Sequence, residues 1–119
     1  MLVVTRFAVD EADQPAFAER VQAALAVLAT KPGYRGGRLA RAIDDVRQWC
    51  LILDWDTVGS YRRALGAFDV KVQASPLLAE ALDEPSAYEV LAAAEPGGAV
   101  VSSPSDRGET LARPLPSRS

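Results

Sequence analysis

Trp49-Cys50-Leu51-Ile52-Leu53-Asp54-Trp55 is apolar at every position but one, and it runs straight into Asp56-Thr57-Val58. In an extended chain successive side chains alternate sides, so Trp49, Leu51, Leu53 and Trp55 share one face while Cys50 and Ile52 share the other. A strand apolar on both faces belongs inside a layered structure, covered on each side. The residues around it decide what the covers are.

Upstream, Tyr34 to Ile43 reads as a strand, with Gly36-Gly37 marking a bulge or a close backbone approach, and Asp44-Asp45 turns it into the strand 46–55. Leu2 to Val9 is a first strand, placing Val3, Thr5, Phe7 and Val9 on one side. Between these strands Asp13 and Pro15 open a helix whose Phe17, Val21, Ala24, Leu25 and Leu28 form one apolar stripe. Lys31-Pro32-Gly33 ends it. Downstream, Thr57 caps a second helix with Val58, Tyr61, Leu65 and Phe68 on one side. Ser75-Pro76 starts a short helix expected to reach Leu82, Pro85 stops it, and 87–93 reads as a fourth strand.

The resulting order is β-α-β-β-α-β, an α+β class with the ferredoxin-like arrangement of two helices on one face of a four-stranded antiparallel sheet. Helices cover only one face. The apolar second face therefore calls for another cover, and a homodimer packed sheet against sheet is the simplest.

The 119 residues fit one domain, expected over 1–94. Nearly half of residues 95–119 are Pro, Gly or Ser, which reads as a C-terminal tail, with Ala99-Val100-Val101 able to pair with an edge. The net charge of −3 argues against a nucleic-acid partner. No apolar run reaches membrane-spanning length, and MLVVTRFAVDEADQ has neither the basic region nor the unbroken apolar core of a secretion signal, so a soluble cytoplasmic protein is expected. Cys50 is the single cysteine and reads as a small buried hydrophobe.

There is no histidine, which removes the commonest general base and the usual zinc and haem ligand. No metal or other cofactor is expected. The remaining candidates for chemistry are aromatic. Trp55 closes the strand on the face of Leu51 and Leu53, and Tyr61 lies one turn into the following helix, so both bear on the space between sheet and helices. Trp49 reads as core. Asp54 and Asp56 flank Trp55 and read as strand-end and cap carboxylates rather than bases.

Two stretches, Lys31-Pro32-Gly33-Tyr34-Arg35-Gly36-Gly37-Arg38-Leu39-Ala40-Arg41 and Leu51-Ile52-Leu53-Asp54-Trp55-Asp56-Thr57 followed by Tyr61, resemble the antibiotic biosynthesis monooxygenase family. The likeness covers 1 to about 93. It implies a dimeric α+β barrel of ferredoxin-like subunits and a cofactor-independent monooxygenase that oxidises a polycyclic phenol, anthrone or quinol with molecular oxygen. Trp55 and Tyr61 match that family's catalytic tryptophan and tyrosine. Thr5, Phe7, Leu51, Leu65 and Arg41 are the expected substrate-binding positions, for a small aromatic molecule. The family's anthrone oxygenases carry an asparagine where this chain has Leu51, so one hydrogen-bond donor is absent. The haem-degrading branch would need an asparagine at Thr5, a tryptophan near Ala64 and a histidine near Ala74, and has none of them here. Two other readings stay open: a non-catalytic dimeric barrel binding a small apolar ligand, and a polyketide-cyclase-like protein.

Overall fold

Strand β1 (Leu2–Ala8) lies antiparallel to β3 (Gln48–Trp55), pairing Val3 with Leu53, Thr5 with Leu51 and Phe7 with Trp49. In the computed structural model, which describes residues 1–105, β2 (Tyr34–Arg41) flanks β3 and β4 (Ala87–Tyr88) flanks β1, giving the sheet order β2-β3-β1-β4. That is the ferredoxin-like α+β order. The alternation read from the sequence holds: Val3, Phe7, Leu51, Leu53 and Trp55 are buried together on one face, whereas Leu2, Val4, Cys50 and Ile52 are half-buried on the other. Cys50 is thus less enclosed than expected, because its strand position faces away from the helices.

Helix α1 (Gln14–Leu28) buries Phe17, Val21, Ala24 and Leu28, the stripe set by its spacing, after a single 3-10 turn at Glu11–Asp13. It ends before Gly33, whose φ of +89° only glycine adopts without strain. A Cβ there would also lie 2.4 Å from both Asp56 and Ser60. The bulge in β2 falls between Tyr34 and Gly36. Gly37 provides the close approach: a Cβ would sit 2.7 Å from the Tyr34 hydroxyl and 2.9 Å from Leu25.

Helix α2 (Val58–Gly66) starts as its cap predicts, with the Ser60 amide donating to Thr57 Oγ1 at 3.0 Å. Its innermost residues are not the expected stripe but the small Ser60 and Ala64, with Tyr61 and Leu65 half-buried beside them. The chain turns extended at Ala67 (ψ 141°), which separates α3 (Phe68–Gln73) from α2 and leaves Phe68 82% exposed rather than on the apolar side. Helix α4 (Ser75–Leu78) stops four residues short of the expected Leu82. There the Leu82 amide is taken by the Arg6 carbonyl at 2.8 Å, so the chain crosses to β1 instead of coiling on.

The fourth strand is also shorter than 87–93. Only Ala87 and Tyr88 pair with β1, and Met1–Tyr88 forms one unit. In a second unit beginning at Glu89, β5 (Ala92–Ala93) pairs antiparallel with β6 (Val101–Ser102). Part of the stretch expected as tail therefore has regular structure, supplied by the β-branched valine at its start; residues 106–119 of that expectation lie outside the described residues. Among the described residues no helix is long and apolar enough to cross a membrane.

Candidate functional site

Because β4 is so short, the edge of β1 beyond Val4 is bordered by irregular chain. Val4 donates to the Ser86 carbonyl at 2.6 Å and Arg6 accepts from Leu82, so residues 82–86 are pinned along the strand at both ends. Between this segment, β1 and α2 a cleft of about 610 Å³ opens. Its inner wall carries Thr5, Tyr61, Leu65 and Leu78. Its outer wall carries Arg6, Asp83, Glu84 and Ser86. The volume falls in the range of small-molecule pockets, about 300–1,000 Å³.

Thr5 is 6% exposed, and its hydroxyl makes no hydrogen bond to another described residue. The Tyr61 hydroxyl likewise has no hydrogen-bond partner among the described residues. Burial raises the Tyr61 pKa above its ordinary value, so the phenol is a proton donor at neutral pH. Two donors without partners among the described residues thus face one space, mixed with leucine side chains. Such a surface suits a flat aromatic molecule bearing oxygen substituents.

Of the residues singled out in the sequence, Thr5, Tyr61 and Leu65 come together at this cleft. Trp55, Phe7 and Leu51 do not: all three sit in the core, Trp55 and Leu51 with no exposed surface. Trp55 packs between Tyr34, edge-on at 5.5 Å, and Tyr61 at 5.7 Å, and its indole N–H is buried without a partner among the described residues. Phe7 borders a separate recess of about 340 Å³ with Phe17 and Arg20. Arg41 lies over the Trp49 ring, 5.3 Å from its centroid, and donates to Gln14 Oε1 at 3.1 Å. Trp49 is half-buried rather than core, and its indole N–H reaches the Val46 carbonyl at 3.1 Å. Asp56 has its pKa lowered, first by the Ser60 hydroxyl and then by Thr57 and Arg63, as a cap carboxylate should.

The wall from Leu78 to Ser86 was missing from the sequence reading. Leu78 and Leu82 continue an apolar spacing past α4, which was legible, but the crossing to β1 was not. Among the described residues no three metal-ligating side chains gather into a group that could hold an ion.

A family model, antibiotic biosynthesis monooxygenase, matches residues 1–71, more than half of the chain. The chain belongs to this family. A monooxygenase-type function follows at the level of the family. Among solved structures, the chain is similar to SnoaB, a cofactor-independent oxygenase from Streptomyces nogalater, with 27% identity over 76% of this chain and 94% of that one and a TM-score of 0.60. It shares its fold with a putative antibiotic biosynthesis monooxygenase from Nitrosomonas europaea, at 16% identity, 76% and 97% coverage and a TM-score of 0.60. A putative family member from Bordetella bronchiseptica matches at 22% identity, 76% and 96% coverage and a TM-score of 0.59. No curated protein matches the chain.

Proposed function

We propose that this family member is a cofactor-independent oxygenase that converts a polycyclic phenol, anthrone or quinol to the quinone in the cleft beside β1. The carrying observation is the pair of unpartnered hydroxyls, Thr5 and Tyr61, facing one cleft of about 610 Å³. The likeness to an oxygenase that works without a cofactor supports the reading.

The chemistry asks the protein to favour the anionic form of the substrate and to keep bulk water away, since that anion itself passes electrons to oxygen. Hydroxyl donors aimed at the substrate oxygen stabilise the developing negative charge. Leu65 and Leu78 supply the apolar walls against the rings. Trp55, sealed behind Tyr61, acts as a positioning residue through the ring contact. Leu51 contributes packing only.

A dimer belongs to the same proposal, with a second copy on the sheet face that carries Leu2, Val4, Cys50 and Ile52. A mass measurement in solution should give twice the chain mass at micromolar concentration, and a concentration-independent monomer would overturn it.

A non-catalytic barrel that binds an apolar ligand is the second reading, favoured by the sealed position of Trp55 and by Leu51 at the asparagine position. Incubation of 1,8-dihydroxyanthrone with and without protein, in air and under argon, separates the two. Protein-dependent quinone formation in air alone supports the oxygenase; equal rates with and without protein support the binding role.

A further inference from the structure

The cleft wall that follows α4 has no hold on the core. Leu77 is 1% exposed, but none of residues 79–86 is buried. A segment without buried side chains takes its place from a few polar ties, and the loss of any one of them is felt locally. Two of the ties run to β1, from the Val4 amide to the Ser86 carbonyl and from the Leu82 amide to the Arg6 carbonyl. The third comes from the other side.

Ala79 and Ala81 line the cleft, whereas Glu80 between them borders the separate recess shared with Phe7, Phe17 and Arg20. There Arg20 Nη1 donates to Glu80 Oε1 at 3.1 Å, and Nη2 donates to Oε2. Both carboxylate oxygens are engaged, and such a fork fixes direction as well as distance. Arg20 stands on a fixed element, since its neighbours Phe17 and Val21 on α1 are both buried. The residues flanking the gripped carboxylate are the two alanines that face the ligand space.

We propose that Arg20 is a positioning residue of the cleft: through Glu80 it holds the wall 79–86 closed against β1 and sets the width of the space that takes the aromatic ligand. This rests on the reading of the cleft as the ligand site. Arg20 touches no ligand, because the pair lies on the far side of the wall. When the pair is broken the wall opens more often while the core stays folded. An exposed ion pair shifts such an equilibrium by up to about fivefold, so the effects are graded rather than all-or-none. A ligand seated against Leu78 favours the closed wall, and by linkage the closed wall favours the ligand.

Hydrogen exchange at the Leu82 amide, whose bond to Arg6 lasts only while the wall is closed, reads the wall directly. In wild type it should exchange faster than the Trp55 amide, which is bonded to the Met1 carbonyl. Arg20→Gln and Glu80→Gln should each speed Leu82 exchange by up to about fivefold, and Arg20→Glu by more. The charge reversal Arg20→Glu/Glu80→Arg should return it near to wild type. Arg47→Gln, which breaks another exposed ion pair away from the cleft, should leave it unchanged. Saturating 1,8-dihydroxyanthraquinone should slow Leu82 exchange, and its Kd should weaken across the same variants in the same order. With 1,8-dihydroxyanthrone as substrate, KM should rise in that order while kcat holds, a split that general loss of fold would not produce. Leu82 exchange that ignores Arg20 and Glu80, or ignores bound anthraquinone, would overturn the proposal and leave the oxygenase reading intact. Exchange rates and Kd that follow the variants as stated support the role of Arg20 even where wild type leaves the anthrone unconverted, a result that would overturn the oxygenase reading alone. A wild type that binds no anthraquinone would overturn both.

Discussion

The phenol of Tyr61 packs 5.7 Å from the indole of Trp55, the planes inclined at 47°, yet only Tyr61 reaches the cleft. One ring is therefore an instrument of chemistry in this account and the other its support. Tyr61→Phe removes the donor and nothing from the core, so kcat should fall about tenfold or more while the melting temperature stays put or rises slightly, because the lost hydroxyl had no partner. Thermal melts and initial rates on the same sample check both halves.

Trp55 has the opposite profile. Trp55→Ala should destabilise the fold by about 3–5 kcal/mol, as expected for emptying a large core site. Trp55→Phe should cost clearly less, because the cavity left is smaller; the orphaned indole N–H goes in both variants and does not distinguish them. Urea unfolding of the two variants gives the comparison. Equal losses would mean that filling the Trp55 site with a ring contributes nothing to the fold, against the packing described.

The alternation of Trp49 to Trp55 made the faces of β3 and the sheet class readable, because burial follows the pleat over the whole strand. It did not separate Trp55 in the core from Tyr61 at a cleft, since a side chain facing the helices looks the same in sequence whether it meets a leucine or a cavity. The residues that make the difference are Ser60 and Ala64: their small side chains let α2 settle on the sheet and turn Tyr61 and Leu65 toward the opening. The outer wall was illegible for another reason. The bonds from Val4 to Ser86 and from Leu82 to Arg6 join residues distant in sequence, and no local pattern in 79–86 encodes them. Turn chemistry was readable wherever one residue sufficed, as at Gly33 and Thr57.

Gly33 supplies a sharp structural test. Gly33→Ala forces a Cβ against Asp56 and Ser60 at a φ of +89°, so two penalties combine. A loss of about 2–4 kcal/mol in urea unfolding is expected. Gly36→Ala, which meets nothing within 4 Å, should stay within about 0.5 kcal/mol of wild type.

Glu80 predicts the acid side of the stability curve. Arg20 lowers the Glu80 pKa, chiefly through their hydrogen bonds, so the folded state holds the ionised form more firmly than the unfolded state does. The contribution is thus fully present above the ordinary glutamate value of about 4.3 and is lost as pH falls through the lower folded value. The pair is solvent-exposed, which limits it to about 0–1 kcal/mol. Glu80→Gln should lower stability at pH 7 by that contribution, no more than about 1 kcal/mol, and the difference from wild type should vanish in acid below the lowered folded value, so the fall toward low pH is flatter. Chemical denaturation at a series of pH values reads this directly; an unchanged slope would remove the pair from the account.

The most direct test of the central claim is conversion of 1,8-dihydroxyanthrone under ¹⁸O₂. The account predicts protein-dependent formation of quinone with a single ¹⁸O atom in the new carbonyl, slowed about tenfold or more in Tyr61→Phe and slowed in Thr5→Val. Quinone formed no faster than without protein would contradict it.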